Sequence, residues 1–320
     1  MEPDSDDLTY EPILERDGVQ VSRSPWGAED EIGRLNWITP EASLGLLGRA
    51  SGSRIFDLSV DYFMGMPSFQ AFGDPPYQIS MTHTPHGSTV DGGSGKGADV
   101  HRKYSWCGDA VSMYTHLGTH IDTLVHLGYY GQFWNGISAE NHLGSRGWTV
   151  GGADRYPPLI ARGVLLDIAA LHDTERLPDD HVIGPDDLRA AAREQRVELR
   201  RGDIVLVRTG MMRLWPTPAY MGMPMTGLGL AAARYLCEET GAMIIGTDTA
   251  AFEAFPGDDE GYAPVHCYMF ATSGTPIMEV VNLEELAGER LYEFAFIGMP
   301  LPLRGATGSP LRPIAVPLAP

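Results

Sequence analysis

One short segment of the 320-residue chain concentrates side chains that commonly bind metal ions. Residues 116–126 read HLGTHIDTLVH and hold three of the ten histidines in the chain. If this segment is extended, the two-residue alternation of a strand places His116, His120 and Asp122 on one face. Gly118, between the two histidines, would leave room for an ion. Two imidazoles and one carboxylate are suitable ligands for Zn²⁺, Mn²⁺ or Fe²⁺.

His126 ends the segment, and two roles are open to it. It is either a fourth ligand or a free general base, because a histidine titrates near neutral pH. A cation held by the other three side chains leaves positions for water, whose pKa it lowers toward neutrality. The same cation polarises a carbonyl group and stabilises the oxyanion that forms on it. The segment therefore offers the groups that metal-assisted hydrolysis needs, whereas the chain has no GxSxG motif to support a serine hydrolase.

The second half of the chain predicts strands that alternate with helices. Short apolar runs bounded by Gly and Asp predict buried strands over 163–168, 203–208, 243–247 and 293–297. Helices are expected over 185–195 and 229–240, and a shorter one is expected to begin at Thr39-Pro40. This alternation is typical of an α/β fold, most simply in a single domain.

The two ends of the chain and one internal stretch lack these patterns. Residues 1–25 are polar and predict an N-terminal arm, partly disordered or packed on a neighbour, before a catalytic domain over 26–320. Residues 65–110 are rich in Gly, Pro, Ser and Met without a clear period, which predicts a long loop that carries function or packs on a partner. The proline-punctuated tail over 307–320 predicts an edge strand or a wrapping segment.

The composition limits the classes of partner. The chain has 42 Asp and Glu against 23 Lys and Arg, a formal charge of −19, which argues against binding to nucleic acid or to an anionic membrane. Its three cysteines are far apart and predict neither a disulfide framework nor a cysteine-rich zinc site. The N-terminus lacks an apolar signal core, and no run of 18 apolar residues occurs, so a cytoplasmic protein is expected.

The segment over 116–126 resembles the HxGTHxDxPxH signature of the metal-dependent cyclase family, which includes bacterial kynurenine formamidase and isatin hydrolase. One departure is Leu124, which stands where the signature has proline. Further resemblances follow in the family's order: 57–59 (DLS), 65–67 (GMP), 202–210 (GDIVLVRTG), 246–248 (GTD) and 276–279 (PIME). Residues 26–36 and 305–310 (GATGSP) are similar to features of the longer members, so the resemblance covers about 26–316.

The resemblance implies a role for each matching residue. His116, His120 and Asp122 match the ligands of one metal, and the aspartate also bridges to a second metal in dinuclear members. His266 matches a ligand of that second metal, and Glu279 matches a carboxylate that bridges both.

The resemblance also implies the residues around the metals. His126 matches the acid/base residue of the signature, and Phe69 is the nearest match to an aromatic wall of the substrate pocket, with Phe72 as a competitor. Asp248 follows a predicted strand and is expected to shape a turn or support a ligand.

Glu279 is also a candidate metal ligand when the residues around it are considered without the resemblance. It lies between apolar pairs inside a predicted strand, where a buried carboxylate needs a cation or hydrogen-bond donors. Four other histidines show no partner pattern, and no role is assigned to them: His101, His142, His172 and His181.

The resemblance implies an α/β fold of the swivelling β/β/α type, with a mixed central sheet flanked by helices, in a homo-oligomer (dimer or tetramer). It implies a metal-dependent hydrolase of non-peptide C–N bonds that acts on a small amide, a lactam or an N-formyl aryl amine. The implied hydrolase would bind one or two divalent ions per chain, Zn²⁺ or Mn²⁺, as its cofactors. Two alternatives are a polyketide-type ring cyclase that uses the metal to polarise a ketone, and a non-catalytic protein that binds metal or ligand.

Overall fold

A nine-stranded mixed sheet forms the centre of the protein. The computed structural model describes residues 10–52, 54–70, 73–92, 95–257 and 261–319. The strands in these residues are β1 (Pro12–Arg16), β2 (Val19–Ser22), β3 (Phe56–Asp57), β4 (Gln78–His83), β5 (Gly108–Ser112), β6 (His120–Asp122), β7 (Leu143–Gly144), β8 (Gly147–Trp148), β9 (Leu159–Asp167), β10 (Val182–Ile183), β11 (Ile204–Arg208), β12 (Gly227–Leu228), β13 (Ile244–Thr247), β14 (Ile277–Glu279), β15 (Glu293–Gly298), β16 (Gly308–Pro310) and β17 (Ile314–Pro317).

The helices are short and surround the sheet. They are α1 (Pro40–Leu47), α2 (Pro85–Asp91), α3 (Ala98–Lys103), α4 (Ala139–His142), α5 (Ile168–Leu171), α6 (Pro185–Gln195), α7 (Leu230–Arg234), α8 (Pro264–Cys267) and α9 (Glu284–Gly288). Single π-helical turns, Tyr235–Glu239 and Tyr268–Thr272, continue α7 and α8. Among the residues described, no helix is both long and apolar enough to cross a membrane.

The strand order joins distant parts of the chain. It runs β16-β6-β14-β13-β11-β9-β15-β17-β3. The four central strands, β14, β13, β11 and β9, are parallel to one another, and the strands on either side of them pair antiparallel. The predicted mixed α/β sheet is confirmed. In the tail, β16 is an edge strand, whereas β17 lies between β15 and β3.

The central strands have apolar residues on both faces because both faces are covered. Val205 and Val207 of β11 contact one apolar cluster, which also contains residues of α6 and α7. Ile204 and Leu206 contact a second cluster on the opposite face, together with Leu286 of α9. A strand buried on both faces reads as a continuous apolar run, which is why these strands were predictable.

Asp248 holds the ends of β11 and β13 together. Its carboxylate is fully buried and accepts hydrogen bonds from the backbone amides of Thr209 and Gly210 and from the Thr209 hydroxyl. Burial raises the pKa of Asp248 to about 6 against the effect of these donors, so the carboxylate is ionised at pH 7. The expectation that Asp248 shapes the backbone here agrees with these contacts.

Two predicted irregular regions contain regular structure. The described part of the predicted arm forms the hairpin β1–β2, which packs on residues of its own chain. Tyr10, for example, packs edge-on against Trp134 at 5.7 Å between ring centroids. The hairpin gave no strong pattern because five-residue β1 is almost entirely exposed. Residues 1–9 lie outside the described residues.

The stretch over 65–110 is not a plain loop either. It contains α2, α3 and the paired strands β4 and β5, which pair with each other and with no other described strand. Both strands are exposed over most of their length. An exposed hairpin needs no alternation of apolar and polar residues, so the sequence showed no period here.

Replacing Asp248 with alanine should lower the free energy of unfolding by about 3 kcal/mol, because two buried amides would lose their acceptor. Denaturant unfolding of the two proteins measures the difference. Asp99→Ala is the control, since that side chain is exposed and should change stability little. A loss below about 1 kcal/mol for Asp248→Ala would contradict this account.

Candidate metal centre

The pairing of β6 with β14 creates the site. In this antiparallel ladder His120 lies opposite Glu279, and Ile121 lies opposite Met278. Ile121 and Met278 point into the apolar cluster on one face of the sheet. Because side chains alternate, His120 and Glu279 project together on the other face.

The first group of donors is His116, His120 and Asp122. All three are buried, and one ligand atom from each lies within 4.8 Å of the others. The Asp122 carboxylate oxygen Oδ1 is 2.5 Å from His116 Nδ1 and 3.3 Å from His120 Nε2. His120 and Asp122 are two residues apart on β6, as predicted, whereas His116 reaches them from the turn that precedes the strand.

The second group shares Asp122 with the first. It consists of Asp122, His266 and Glu279, again buried and within 4.8 Å. Glu279 Oε1 is 3.2 Å from His266 Nε2, and its other oxygen is 3.2 Å from His120 Nε2. The five residues predicted as metal ligands therefore meet in one cluster, although His266 and Glu279 lie far from the signature in sequence.

Each histidine of the cluster has one ring nitrogen held by the protein and the other directed at the carboxylates. His120 Nδ1 lies 2.8 Å from the Gly118 carbonyl, and His266 Nδ1 lies 2.5 Å from Glu253 Oε1. His116 Nε2 lies 2.8 Å from the Thr307 hydroxyl. Such contacts fix the orientation of histidines that bind metal.

The donor set fits a divalent cation. His120 Nε2 is buried and makes no hydrogen bond with any described residue, although two carboxylates lie within 3.3 Å of it. An unpaired buried nitrogen between two carboxylates is unfavourable unless a proton or a cation joins them. Three imidazoles and two carboxylates suit Zn²⁺ or Mn²⁺, with Asp122 able to contact two ions.

The charges of the cluster compensate one another. Burial disfavours a charge on His120, but the carboxylates of Asp122 and Glu279 outweigh it and raise the pKa of His120 to about 10. The same opposition, with Glu253 and Glu279 as partners, raises the pKa of His266 to about 10. Burial also disfavours the charged form of Asp122, yet the nearby imidazoles hold its pKa well below the usual value. Carboxylates this deep in the protein thus require positive charge beside them.

His126 lies beside the cluster and belongs to neither group of donors. Its ring stacks on that of His116, with 3.9 Å between centroids and 25° between planes. Desolvation, followed by the electrostatic effect of the neighbouring His116 ring, lowers the pKa of His126 to about 3. The ring is therefore neutral at pH 7. Its role as the acid/base residue stays a prediction.

Gly118 serves another purpose than expected, and Leu124 is accommodated where the signature has proline. Gly118 does not make room for an ion: a Cβ there would lie 2.8 Å from the Tyr62 ring, and its φ of +61° disfavours other residues. Leu124 replaces the signature proline and is fully buried in the main apolar cluster. The path of this turn is held instead by Thr123, whose amide and hydroxyl both donate to the Thr307 carbonyl.

The glycine that makes room in the site is Gly308. A Cβ at this position would lie 2.6 Å from Cε1 of His116 and 2.9 Å from its Nδ1. Gly308 pairs with Asp122 across β16 and β6, next to Thr307 and its contact with His116. The segment over 305–310 thus supports the first group of donors.

Phe69, the predicted pocket wall, lies in an apolar part of the fold that the chain joins to Glu279. Phe69 packs against an apolar group that includes Val280, the residue after Glu279. The same group contains Met211, Met212 and Tyr220, which are buried, so it is a small apolar core in contact with the residue that follows Glu279. Phe72, the competing candidate, lies outside the described residues.

Sequence reasoning missed Glu253 and gave Thr307 no role. Glu253 is buried and accepts from the backbone amides of Val265 and His266 as well as facing the His266 ring. Its spacing of 13 residues from His266 carries no recognisable pattern. Both residues act through contacts between segments that only the fold brings together.

Comparison with known proteins places the chain in a family. The Cyclase family model matches residues 56–254, so the chain belongs to that family. A solved structure described as a novel cyclase is 29% identical, with a TM-score of 0.80 over 91% of this chain and 95% of its own.

Two other solved structures share the fold at lower identity. Isatin hydrolase A from Ralstonia solanacearum is 22% identical, with a TM-score of 0.62 over 87% of this chain and 96% of its own. A predicted metal-dependent hydrolase from Bacillus stearothermophilus is 19% identical, with a TM-score of 0.54 over 83% and 98%. No curated protein gives a significant match.

Replacing Gly308 with alanine should weaken metal binding about tenfold or more, because the new methyl group would displace the His116 ring. Metal affinity is measured by competition with a chelator. Gly288→Ala in α9 is the matched control, since a Cβ there meets open space. Equal affinity in both variants and the wild type would show that His116 is not held as described.

Proposed function

We propose that this protein is a metal-dependent hydrolase that cleaves the amide bond of a small molecule, either a cyclic amide or an N-formyl aryl amine. The observation that carries the proposal is the pair of buried donor groups that share Asp122, with neutral His126 stacked beside them. Metal ligands alone would serve a binding protein. A histidine that is available to move a proton beside them points to catalysis.

Membership of the cyclase family supports this class of reaction. The solved structures with the same fold include isatin hydrolases, one of them bound to the product analogue thioisatinate. Isatin hydrolysis opens a cyclic amide, so the same fold holds this chemistry in those proteins. Phe69, partly buried against the apolar group that contains Met211 and Met212, would offer its ring to the flat face of an aromatic amide.

The chain's own residues divide the work of hydrolysis. His116, His120 and Asp122 would hold one divalent cation, and His266 and Glu279 would hold a second that Asp122 also contacts. When bound, such a cation acts as a Lewis acid toward water and toward a carbonyl oxygen. These residues suit both Zn²⁺ and Mn²⁺, and either one ion or two, so the identity and number of ions are to be measured directly.

His126 would move the proton. Its ring, stacked on His116, would take a proton from the attacking water and then donate it to the leaving nitrogen. The carbon–nitrogen bond breaks, one water is consumed, and the products are a carboxylate and an amine. Phe69 would contact the substrate on the side of the Val280 cluster and restrict its orientation.

The test combines metal content with turnover. Protein loaded with Zn²⁺ or Mn²⁺ should hydrolyse at least one member of a panel of isatin, formanilide and simple lactams, with the carboxylate detected by mass spectrometry. His126→Ala should lower kcat by about 10²–10⁴-fold while its metal content, measured by elemental mass spectrometry, stays at the wild-type value. His86→Ala is the control, because that histidine is exposed and lies outside the cluster.

Three results would contradict the proposal. Metal-loaded protein that hydrolyses none of these amides is not an amidohydrolase of this class. A product that has lost water by ring closure would identify a ring cyclase. Full turnover in His126→Ala would remove this residue from the reaction.

We propose further that the protein works as a homo-oligomer, assembled through the β4–β5 hairpin. Ile79 and Val111, which pair across the two strands, are 40% and 52% exposed, and Met81 is 53% exposed. An isolated two-stranded hairpin is marginally stable, so an apolar partner surface would stabilise it. The chain leads from β5 through Tyr114, whose ring lies 4.8 Å from that of His116, so assembly here would also shield the metal centre.

Light scattering at micromolar concentration should give a multiple of the 34.8 kDa chain mass. The variant Ile79→Lys/Val111→Asp should shift the protein toward the monomer, because it removes apolar surface while its opposite charges preserve the strand pair. Leu44→Asp is the control, because it replaces an exposed apolar residue on α1, outside the hairpin. A monomeric wild-type protein would disprove the assembly.

A further inference from the structure

A second histidine–carboxylate cluster lies away from the central site. It consists of His172, His181 and Asp187, and one ligand atom from each lies within 4.8 Å of the others. His172 Nε2 is 3.0 Å from Asp187 Oδ1, and His181 Nε2 is 3.5 Å from Asp187 Oδ2. The two imidazole centroids are 4.9 Å apart, with 67° between their planes. Two nitrogens thus approach the two oxygens of one carboxylate from different directions.

The three residues come from separate segments. His172 follows the last residue of α5, His181 lies just before β10, and Asp187 is in the first turn of α6. Asp187 is held in place because its Oδ2 accepts a hydrogen bond from the Gly184 amide. The carboxylate is therefore positioned by the start of α6 before either histidine contributes.

One atom in the cluster lacks a hydrogen-bond partner. His181 Nε2 is shielded from solvent and makes no hydrogen bond within the part of the chain that is described. Its 3.5 Å separation from Asp187 Oδ2 is an ion-pair distance without hydrogen-bond geometry. A shielded imidazole nitrogen that faces a carboxylate without bonding to it is the arrangement expected of a metal ligand.

The sequence around the cluster is strongly acidic. Five further carboxylates lie within this stretch of chain: Asp173, Glu175, Asp179, Asp180 and Asp186. Three of them pair with arginines: Asp179 with Arg176, Glu175 with Arg213 and Asp186 with Arg189. Asp173 and Asp180 add negative charge, which raises the local concentration of cations at this surface.

We propose that His172, His181 and Asp187 form a second metal site, specific for a first-row divalent ion such as Zn²⁺ and separate from the catalytic centre. Two imidazole nitrogens and one carboxylate within 4.8 Å of one another are a ligand set that suits Zn²⁺. The side chains remain 20–40% exposed, so water can complete the coordination.

The role of this site is structural. An ion here would link the loop over 172–181 to the first turn of α6 through its ligands. Leu177 in that loop is fully buried, and its amide donates to the Thr209 carbonyl at the end of β11. The loop also packs against Gly210, where a Cβ would lie 2.1 Å from the Glu175 carbonyl oxygen. Since Met211 and Met212 follow directly and belong to the buried apolar group with Phe69, an ion at this site would restrict the movement of that group.

The experiment separates the two sites by mutation. His120→Ala/Glu279→Gln disables the central cluster, and the further changes His172→Ala/His181→Ala disable the second one. Zn²⁺ bound by each protein is counted by equilibrium dialysis and elemental mass spectrometry. Adding His86→Ala, an exposed histidine outside both clusters, to the central variant is the matched control.

The expected result is about one Zn²⁺ per chain in the central variant and in its control, and none when His172 and His181 are replaced. Zn²⁺ should also raise Tm in the first two proteins but not in the third. Equal Zn²⁺ in all three would overturn the proposal, as would the absence of Zn²⁺ from all of them.

A second comparison covers the case in which the central variant does not fold. In the otherwise wild-type protein saturated with Zn²⁺, His172→Ala/His181→Ala should remove one equivalent and His86→Ala none. An unchanged metal count would overturn the proposal. The count does not depend on turnover, so it is independent of the proposed hydrolase activity.

Discussion

Three carboxylates are buried side by side at one edge of the central sheet, and the surrounding structure compensates their charge. Asp122, Glu253 and Glu279 are almost inaccessible to water. A lone ionised carboxylate buried in this way would cost several kcal/mol of folding free energy. Three imidazoles contact them at 2.5–3.3 Å. The orientations of the rings are fixed because the other nitrogen of each ring contacts the Gly118 carbonyl, the Thr307 hydroxyl or Glu253. The site therefore exists because the buried negative charge of these three carboxylates needs positively charged partners.

The strand order is what allows this balance. β6 runs antiparallel between β14 and β16, so one short strand is flanked by the segment with Glu279 on one side and by the segment with Thr307 and Gly308 on the other. The contact from His116 to Thr307 spans 191 residues of sequence. A shift of one residue in either ladder would turn Asp122 or Glu279 into the apolar cluster on the opposite face. Register thus matters more than the identity of the surrounding loops.

The parts of the fold that the sequence predicted share one physical property. The strands β9, β11, β13 and β15 are buried in the middle of the sheet, so their apolar runs are long and continuous. Helix α6 begins at Pro185 with acidic residues in its first turn and was predictable to the residue. The exposed hairpins β1–β2 and β4–β5 lacked such signals, because an exposed strand is not constrained in polarity. The role of Gly118 was misjudged since the φ angle and the Tyr62 ring cannot be read from spacing.

The sequence by itself determined the kinds of donor, their local spacing over 116–126 and the strands that build the sheet. Local spacing is sufficient for His120 and Asp122 because alternation along one strand places them on the same face. Only the tertiary structure decided that Glu253 orients His266, that Gly308 makes room for His116, and that three histidine and carboxylate side chains meet at the start of α6. These contacts depend on strand pairing, on register and on side-chain packing between segments distant in the chain. Such interactions leave no periodic trace in the sequence, since they constrain two positions whose separation is set by the fold alone.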